Sequence, residues 1–139
     1  MWSAWTKLEQ TANYNGPAVY KVRLCCSGTR VLINRFLGSD EDGLLCIGKT
    51  SNLERRRKDF INGITSENGH SEGNLLCILV EKTSLSTKYP NREYEYSYIK
   101  AKSNGEEDTL EEKHIKAYVK QFGEAPPLNS SIPNRYGDW

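Results

Sequence analysis

The stretch LLCIGKTSNLERRRKDFINGI, residues 44–64, changes its periodicity halfway along. Leu44 to Ile47 form a short apolar run that ends at Gly48 and reads as a strand. Ser51 and Glu54 follow at the spacing of a capping box, and Leu53, Phe60, Ile61 and Ile64 then recur on one helix face. A strand thus passes through a Gly-Lys-Thr turn into a helix that carries Arg55, Arg56 and Arg57 near its start. With Leu53 at zero on a wheel of about 100° per residue, Arg57 falls near the centre of the apolar stripe, Arg56 at its edge and Arg55 opposite. A lysine and several guanidinium groups beside a helix N-terminus favour an anion. Phosphate is the anion that this arrangement suits.

The surrounding chain of 139 residues suits one domain with a single modest core. Hydrophobic content of 37% and charged content of 27% describe a globular protein with no bias to disorder. The net charge of +1 gives no bulk signature of nucleic-acid binding, so any basic surface must come from local clusters such as Arg55–Lys58. The four cysteines have neither Cys-x-x-Cys nor zinc-type spacing and read as reduced thiols. No apolar run approaches the roughly 18 residues needed to cross a membrane, and the N-terminus lacks the layout of a signal peptide. A cytoplasmic location, with no membrane partner, is the expectation.

Upstream of the opening stretch, residues 1–15 form an arm in which Trp2 and Trp5 are expected to pack. After Gly16-Pro17, Ala18 to Cys25 reads as a strand with Ala18, Tyr20, Val22 and Leu24 on one face and Val19, Lys21 and Arg23 on the other. Val31 to Leu37 is expected as a second strand. Downstream, the loop TSENGHSEGN holds His70, and Leu75 to Glu81 reads as a buried central strand. Thr83 to Asn91 reads as a loop. Glu93 to Lys102 fits strand or helix, with strand preferred for its alternating tyrosines. A helix runs from Asp108 or Thr109 to Phe122 and stops at Gly123. Residues 130–139 are an irregular tail. The fold class is α/β (α+β): a small, mainly antiparallel sheet of three to five strands flanked by helices.

Three pieces follow one another in order: Ala18-Val19-Tyr20, then Cys46-Ile47-Gly48 with Lys49, Thr50, Asn52, Leu53 and Arg56, and finally Glu111 and Ile115 with Pro127 and Asn129. In this order they resemble the GIY-YIG nuclease superfamily over residues 16–129. The resemblance implies an endonuclease that hydrolyses DNA phosphodiester bonds with magnesium (or manganese). Tyr20 would activate or orient water, Arg56 would stabilise charge on the phosphate, and Glu111 would hold the metal. His70 lies in the interval where some members use a histidine as base or leaving-group contact. Lys49 and Arg57 would contact phosphate, and Asn129 would brace the site. DNA is the partner implied, and loops 26–43 and 64–74, or a homodimer, would supply specificity.

Each residue also has a structural reading. Tyr20 alternates with Val22 and Leu24 and fits a core. Arg57 can snorkel, His70 and Lys49 can sit at the surface, and Asn129 can simply follow a Pro-Pro turn. Glu111 lines up with Ile115, Tyr118 and Phe122, whereas Glu112 can close a capping box with Thr109; Asp108 with Glu111 is the rival box. Cys46 stands where the family has tyrosine, so a catalytically lapsed module that binds nucleic acid or protein is the alternative function. A nucleotide-binding loop running from Gly43 to Gly48-Lys49-Thr50 is a poor third reading, because the intervening LLCI is a strand-like run that cannot wrap a phosphate as a loop.

Overall fold

The computed structural model describes residues 1–66 and 71–139. In chain order the elements are β1 (Thr6–Lys7), β2 (Ala18–Cys26), β3 (Thr29–Arg30), β4 (Ile33–Asn34), β5 (Ser39–Asp40) and β6 (Leu44–Thr50). They continue with α1 (Leu53–Ser66), α2 (Ser71–Lys82), α3 (Leu85–Lys88), β7 (Arg92–Lys100) and α4 (Glu106–Phe122). Five strands make one antiparallel sheet in which β2 lies between β6 and β7, β1 flanks β7, and β3 folds back on the end of β2. The mixed α+β class expected from the sequence is what the chain adopts.

The central strand has the alternation that its sequence dictates. Ala18, Tyr20, Val22 and Leu24 enter one apolar cluster with Leu53, Phe60 and Leu76 of α1 and α2. Val19, on the opposite face, joins Ile47, Ile115, Tyr118 and Phe122 beneath α4. Two helices therefore cover one face and one helix the other. The pairing of β2 with β6 skips Leu45, since Val22 faces Cys46 and Arg23 faces Leu44. This bulge lets Leu45 and Cys46, adjacent in sequence, both enter the first cluster while Leu44 turns to the second. At the other end of β2, Ser27 and Gly28 have φ of 52° and 80°, the left-handed pair required by a tight two-residue hairpin into β3.

Several expectations need correction. Leu75–Glu81 is not a buried strand but the body of helix α2. Its buried residues are Gly73, Leu76 and Cys77, a helical spacing, whereas Leu75 and Ile78 are exposed. A short apolar run carries no periodicity of its own, and here the helix won. A Cβ on Gly73 would press on the Phe60 carbonyl and on Gly63, so the missing side chain is what lets α2 pack tightly on α1. The strand expected over Val31–Leu37 reduces to Ile33–Asn34 paired with Ser39–Asp40, and Phe36 is exposed at the tip. The loop expected over Thr83–Asn91 contains the short helix α3.

Helix boundaries differ too. α4 begins at Glu106 behind Gly105, whose φ is 91°, and no side chain caps it, so neither expected box forms there. Its end at left-handed Gly123 agrees with the sequence reading. At α1 the capping side chain is Asn52, whose Oδ1 accepts from Arg55 N at 3.1 Å. Ser51 has no such part, and Glu54 is occupied elsewhere.

Glu54 fastens the N-terminal arm to the domain. Arg57 donates to Glu54 Oε2 at 2.6 Å and to the Leu8 carbonyl at 2.9 Å, while Ala12 N donates to Glu54 Oε1. Leu8 is buried, β1 pairs with β7, and the Tyr96 hydroxyl donates to the Gln10 carbonyl at 2.8 Å. The hydrogen bonds from Arg57 are the main reason that the Glu54 carboxyl is held down at about 2 rather than its ordinary 4.5. A carboxyl with a lowered folded value stabilises the fold above the ordinary value and stops doing so as the pH falls through the lowered one. Urea unfolding of wild type should therefore weaken more than that of Glu54→Gln between pH 4.5 and about 2, by up to about 3 kcal/mol. Parallel curves for the two proteins would contradict this role.

Candidate functional site

Tyr20 sits opposite Gly48 on the neighbouring strand and is 5% exposed. A Cβ at residue 48 would collide with the Tyr20 hydroxyl. The glycine therefore creates the space in which the phenol ends, at the edge of the sheet where β6 has no further strand partner among the described residues. Burial raises the phenol well above its usual value; Cys46, Glu72 and Glu111 push the same way and the nearby Arg56 pulls it down. At neutral pH the group is thus a protonated hydroxyl, able to donate and accept but not a ready base.

The N-terminus of α1 does not offer itself to an anion as the sequence suggested. Leu53 N donates to the Gly16 carbonyl, Glu54 N to that of Tyr14, Arg55 N to Asn52 Oδ1 and Arg56 N to the Asn52 carbonyl. The first amides of the helix are all satisfied from within, so phosphate affinity there must come from side chains. Of the three arginines, Arg55 is exposed and Arg57 is spent on Glu54 and Leu8. Arg57, expected as a second phosphate contact, is a fastening for the arm instead, with its side chain 9% exposed. Arg56, at the stripe edge, borders Tyr20 on one side. On the other it lines a cleft of about 410 Å³ shared with Lys49, Ser51, Gly105 and Asp108. Among the described residues Arg56 has no carboxylate partner.

Glu111 lies half-buried on the first turns of α4. Burial is the largest influence raising its carboxyl; Lys49 and Arg56 lower it, and Glu72 and Asp108 raise it. Lys49 is paired with Asp108, both partners being solvent-accessible. Glu112 belongs to a different surface, 3.6 Å from the buried Lys116. The choice of Glu111 over Glu112 follows from α4 itself: only Glu111 continues the line of Ile115 and Tyr118 toward the sheet. Asn129 uses its whole amide on the edge strand, accepting from Ile47 N at 2.9 Å and donating to Ile47 O at 2.8 Å. It stands in for a missing strand next to Gly48 and keeps that edge in place. His70 lies outside the described residues.

Glu72 is the residue that the sequence reading missed. The sequence places it in a polar loop, because Leu75–Glu81 reads as a strand. Once α2 starts at Ser71, Glu72 falls in its first turn, and its charge acts on Tyr20, Cys46 and Glu111 together. The available signal was Ser71-Glu72 placed just before an apolar run, which is how a helix often begins. Cys46 is fully buried beside Val22, and none of the four cysteines is in a disulfide.

The carboxylates that could hold a divalent cation are Glu111, Glu72 and Asp108. A half-buried Glu111 beside Glu72 and Asp108 is an anion whose burial and like-charged neighbours oppose ionisation, a cost that a divalent cation would offset. Among the described residues no three His, Cys, Asp or Glu side chains gather into a ready-made cage. Magnesium does not require one, since it keeps most of its waters and is commonly held by one or two carboxylates plus substrate phosphate. No helix among the described residues is long and apolar enough to cross a membrane. No protein-family model, curated protein or solved structure matches the chain.

Proposed function

We propose that the protein is a metal-dependent endonuclease of the GIY-YIG type that hydrolyses DNA phosphodiester bonds. The observation that carries this reading is that Arg56 and Glu111 both act on the Tyr20 hydroxyl. Tyr20 comes from β2, Arg56 from α1 and Glu111 from α4; the phenol ends in the gap left by Gly48, Arg56 borders it, and Arg56 also acts on Glu111. Glu111 would hold magnesium, with Glu72 and Asp108 as the further carboxylates that act on it. The ion would supply charge neutralisation at the phosphate and a polarised water. Arg56, with no carboxylate partner among the described residues, would neutralise the charge that develops on the non-bridging oxygens. Tyr20 is kept protonated by burial, so its hydroxyl would orient the attacking water by hydrogen bonding rather than remove its proton. Lys49 would exchange Asp108 for a substrate phosphate as a point charge.

Plasmid DNA incubated with the protein should be nicked with magnesium and left intact in EDTA. Glu111→Ala should lower the rate by at least about a hundredfold, in line with loss of a metal ligand's electrostatic contribution. Equal cutting by Glu111→Ala, or none by wild type, would sink the proposal.

Full burial of Cys46 and of the Tyr20 ring favours a second reading, a domain that binds nucleic acid without cutting it. Its mark would be DNA affinity that falls steeply with salt and no product with any divalent ion. Tyrosine at residue 46 is a poor diagnostic, because the position is already filled and the larger ring would overpack the core.

A further inference from the structure

On the α4 face of the sheet, around the corner from Gly48, lies a second and larger cleft of about 620 Å³. Its walls include Trp2, Lys21, Asp42, His114 and Gln121. Lys21 follows Tyr20 on β2 and so points to the opposite, α4 face of the sheet, while His114 is three residues beyond Glu111 on α4, a rise of about 4.5 Å. Along α4 the cleft therefore begins about one helical turn from Glu111.

Its chemistry is specific. The Lys21 ammonium is 4.3 Å from the centre of the Trp2 ring and 5.0 Å from that of Trp5, held between the two. Among the described residues it makes no hydrogen bond or ion pair, and the carboxylates of Asp42 and Asp40 act on this half-buried cation only across the cleft. The His114 ring meets Trp2 edge-on at 4.8 Å. Burial keeps that imidazole below its ordinary value and hence neutral, with one donor and one acceptor nitrogen. The acidic side is largely engaged. Asp40 accepts from Asp42 N, Leu44 N and the Tyr118 hydroxyl, and Asp42 pairs with Arg30. Glu41 remains exposed on the rim.

We infer that this cleft receives one unpaired nucleotide of the DNA strand, with its base against Trp2 and His114 and its phosphate on Lys21. The identity of the polymer rests on the cleavage reading above. Lys21, a cation without an ion pair among the described residues, matches one phosphate, and the Glu41 rim repels a continuing run of them. A paired base cannot reach the Trp2 ring, because it is stacked within the duplex, whereas an unpaired base stacks readily on an aromatic side chain. The cleft thus selects DNA with an unpaired nucleotide next to the scissile bond, such as a flap, overhang or single strand.

The test is binding by fluorescence anisotropy in EDTA, so that no turnover is required. Three labelled DNAs of one sequence are compared: a single strand, a full duplex, and a duplex with a single-stranded overhang. Wild type should bind the two substrates with unpaired bases at least about tenfold more tightly than the duplex, the size expected of one stacked base. Trp2→Leu and Lys21→Gln should each remove most of that preference while leaving duplex binding intact. His114→Ala and Lys21→Gln decide the matter if Trp2→Leu melts at a lower temperature. Equal wild-type affinity for all three DNAs, or a preference that survives both Lys21→Gln and His114→Ala, overturns the inference. Preference without magnesium-dependent cutting would uphold this cleft and reject the nuclease; cutting without preference would do the reverse.

Discussion

Replacing Phe60 with alanine should lower the unfolding free energy by about 3–5 kcal/mol, the usual range for removing a fully buried phenylalanine. Phe60 is 1% exposed and lies where α1, α2 and the sheet meet, in one cluster with Tyr20, Val22, Leu53 and Leu76. Its own carbonyl is backed by Gly73 of α2, so the helices are too close to collapse further into the space vacated. For a domain whose total stability is about 5–15 kcal/mol, much of the protein would be unfolded at moderate temperature. Urea denaturation of the variant measures this directly. Ile61→Ala is the comparison, since Ile61 only borders the same cluster and should cost clearly less. A loss below about 1 kcal/mol for Phe60→Ala would mean that this cluster is not the core.

Adjacent arginines should behave in opposite ways. Arg56→Ala should slow DNA cleavage by about a hundred- to a thousandfold, the effect of deleting one preorganised electrostatic contact to a reacting centre. Its melting temperature should hardly change, because the guanidinium has no carboxylate partner to leave behind among the described residues. Arg57→Ala should do the converse: a lower melting temperature and a cleavage rate near wild type below it. That substitution strands the Glu54 carboxylate, 14% exposed, and releases the Leu8 carbonyl. Melting curves and initial cleavage rates on the same two proteins separate the roles. If Arg57→Ala lost the rate and Arg56→Ala kept it, the assignment of the two residues would be reversed.

Where the sequence was legible, a strong local pattern and the tertiary environment agreed. β2 has one face for each cluster, as its alternation required, and α1 places Arg55 outward, Arg56 at the edge and Arg57 inward, as the wheel had it. The strand preferred for Glu93–Lys102 runs from Arg92 to Lys100. Legibility failed where one property stood in for another. In α2, hydrophobicity without periodicity reads as extended structure, and that reading hides Glu72. At the start of α1, a favourable motif was taken for an open anion site, whereas residues 14 and 16, which have no recognisable pattern, supply the carbonyls that close it. The part played by Lys21 with Trp2 and Trp5 depends on an arm folding back across the sheet, which no local spacing reports.

The position of β2 between β6 and β7 has a consequence for how the chain is born. Its partner on one side arrives about twenty residues later and the other about seventy, so a nine-residue, largely apolar strand leaves the ribosome long before its second neighbour exists. During that interval one edge of β2 is unpaired, a condition that favours association with other chains and slows folding through distant contacts. The hairpin with β6 and the docking of α1 can form first from nearby sequence.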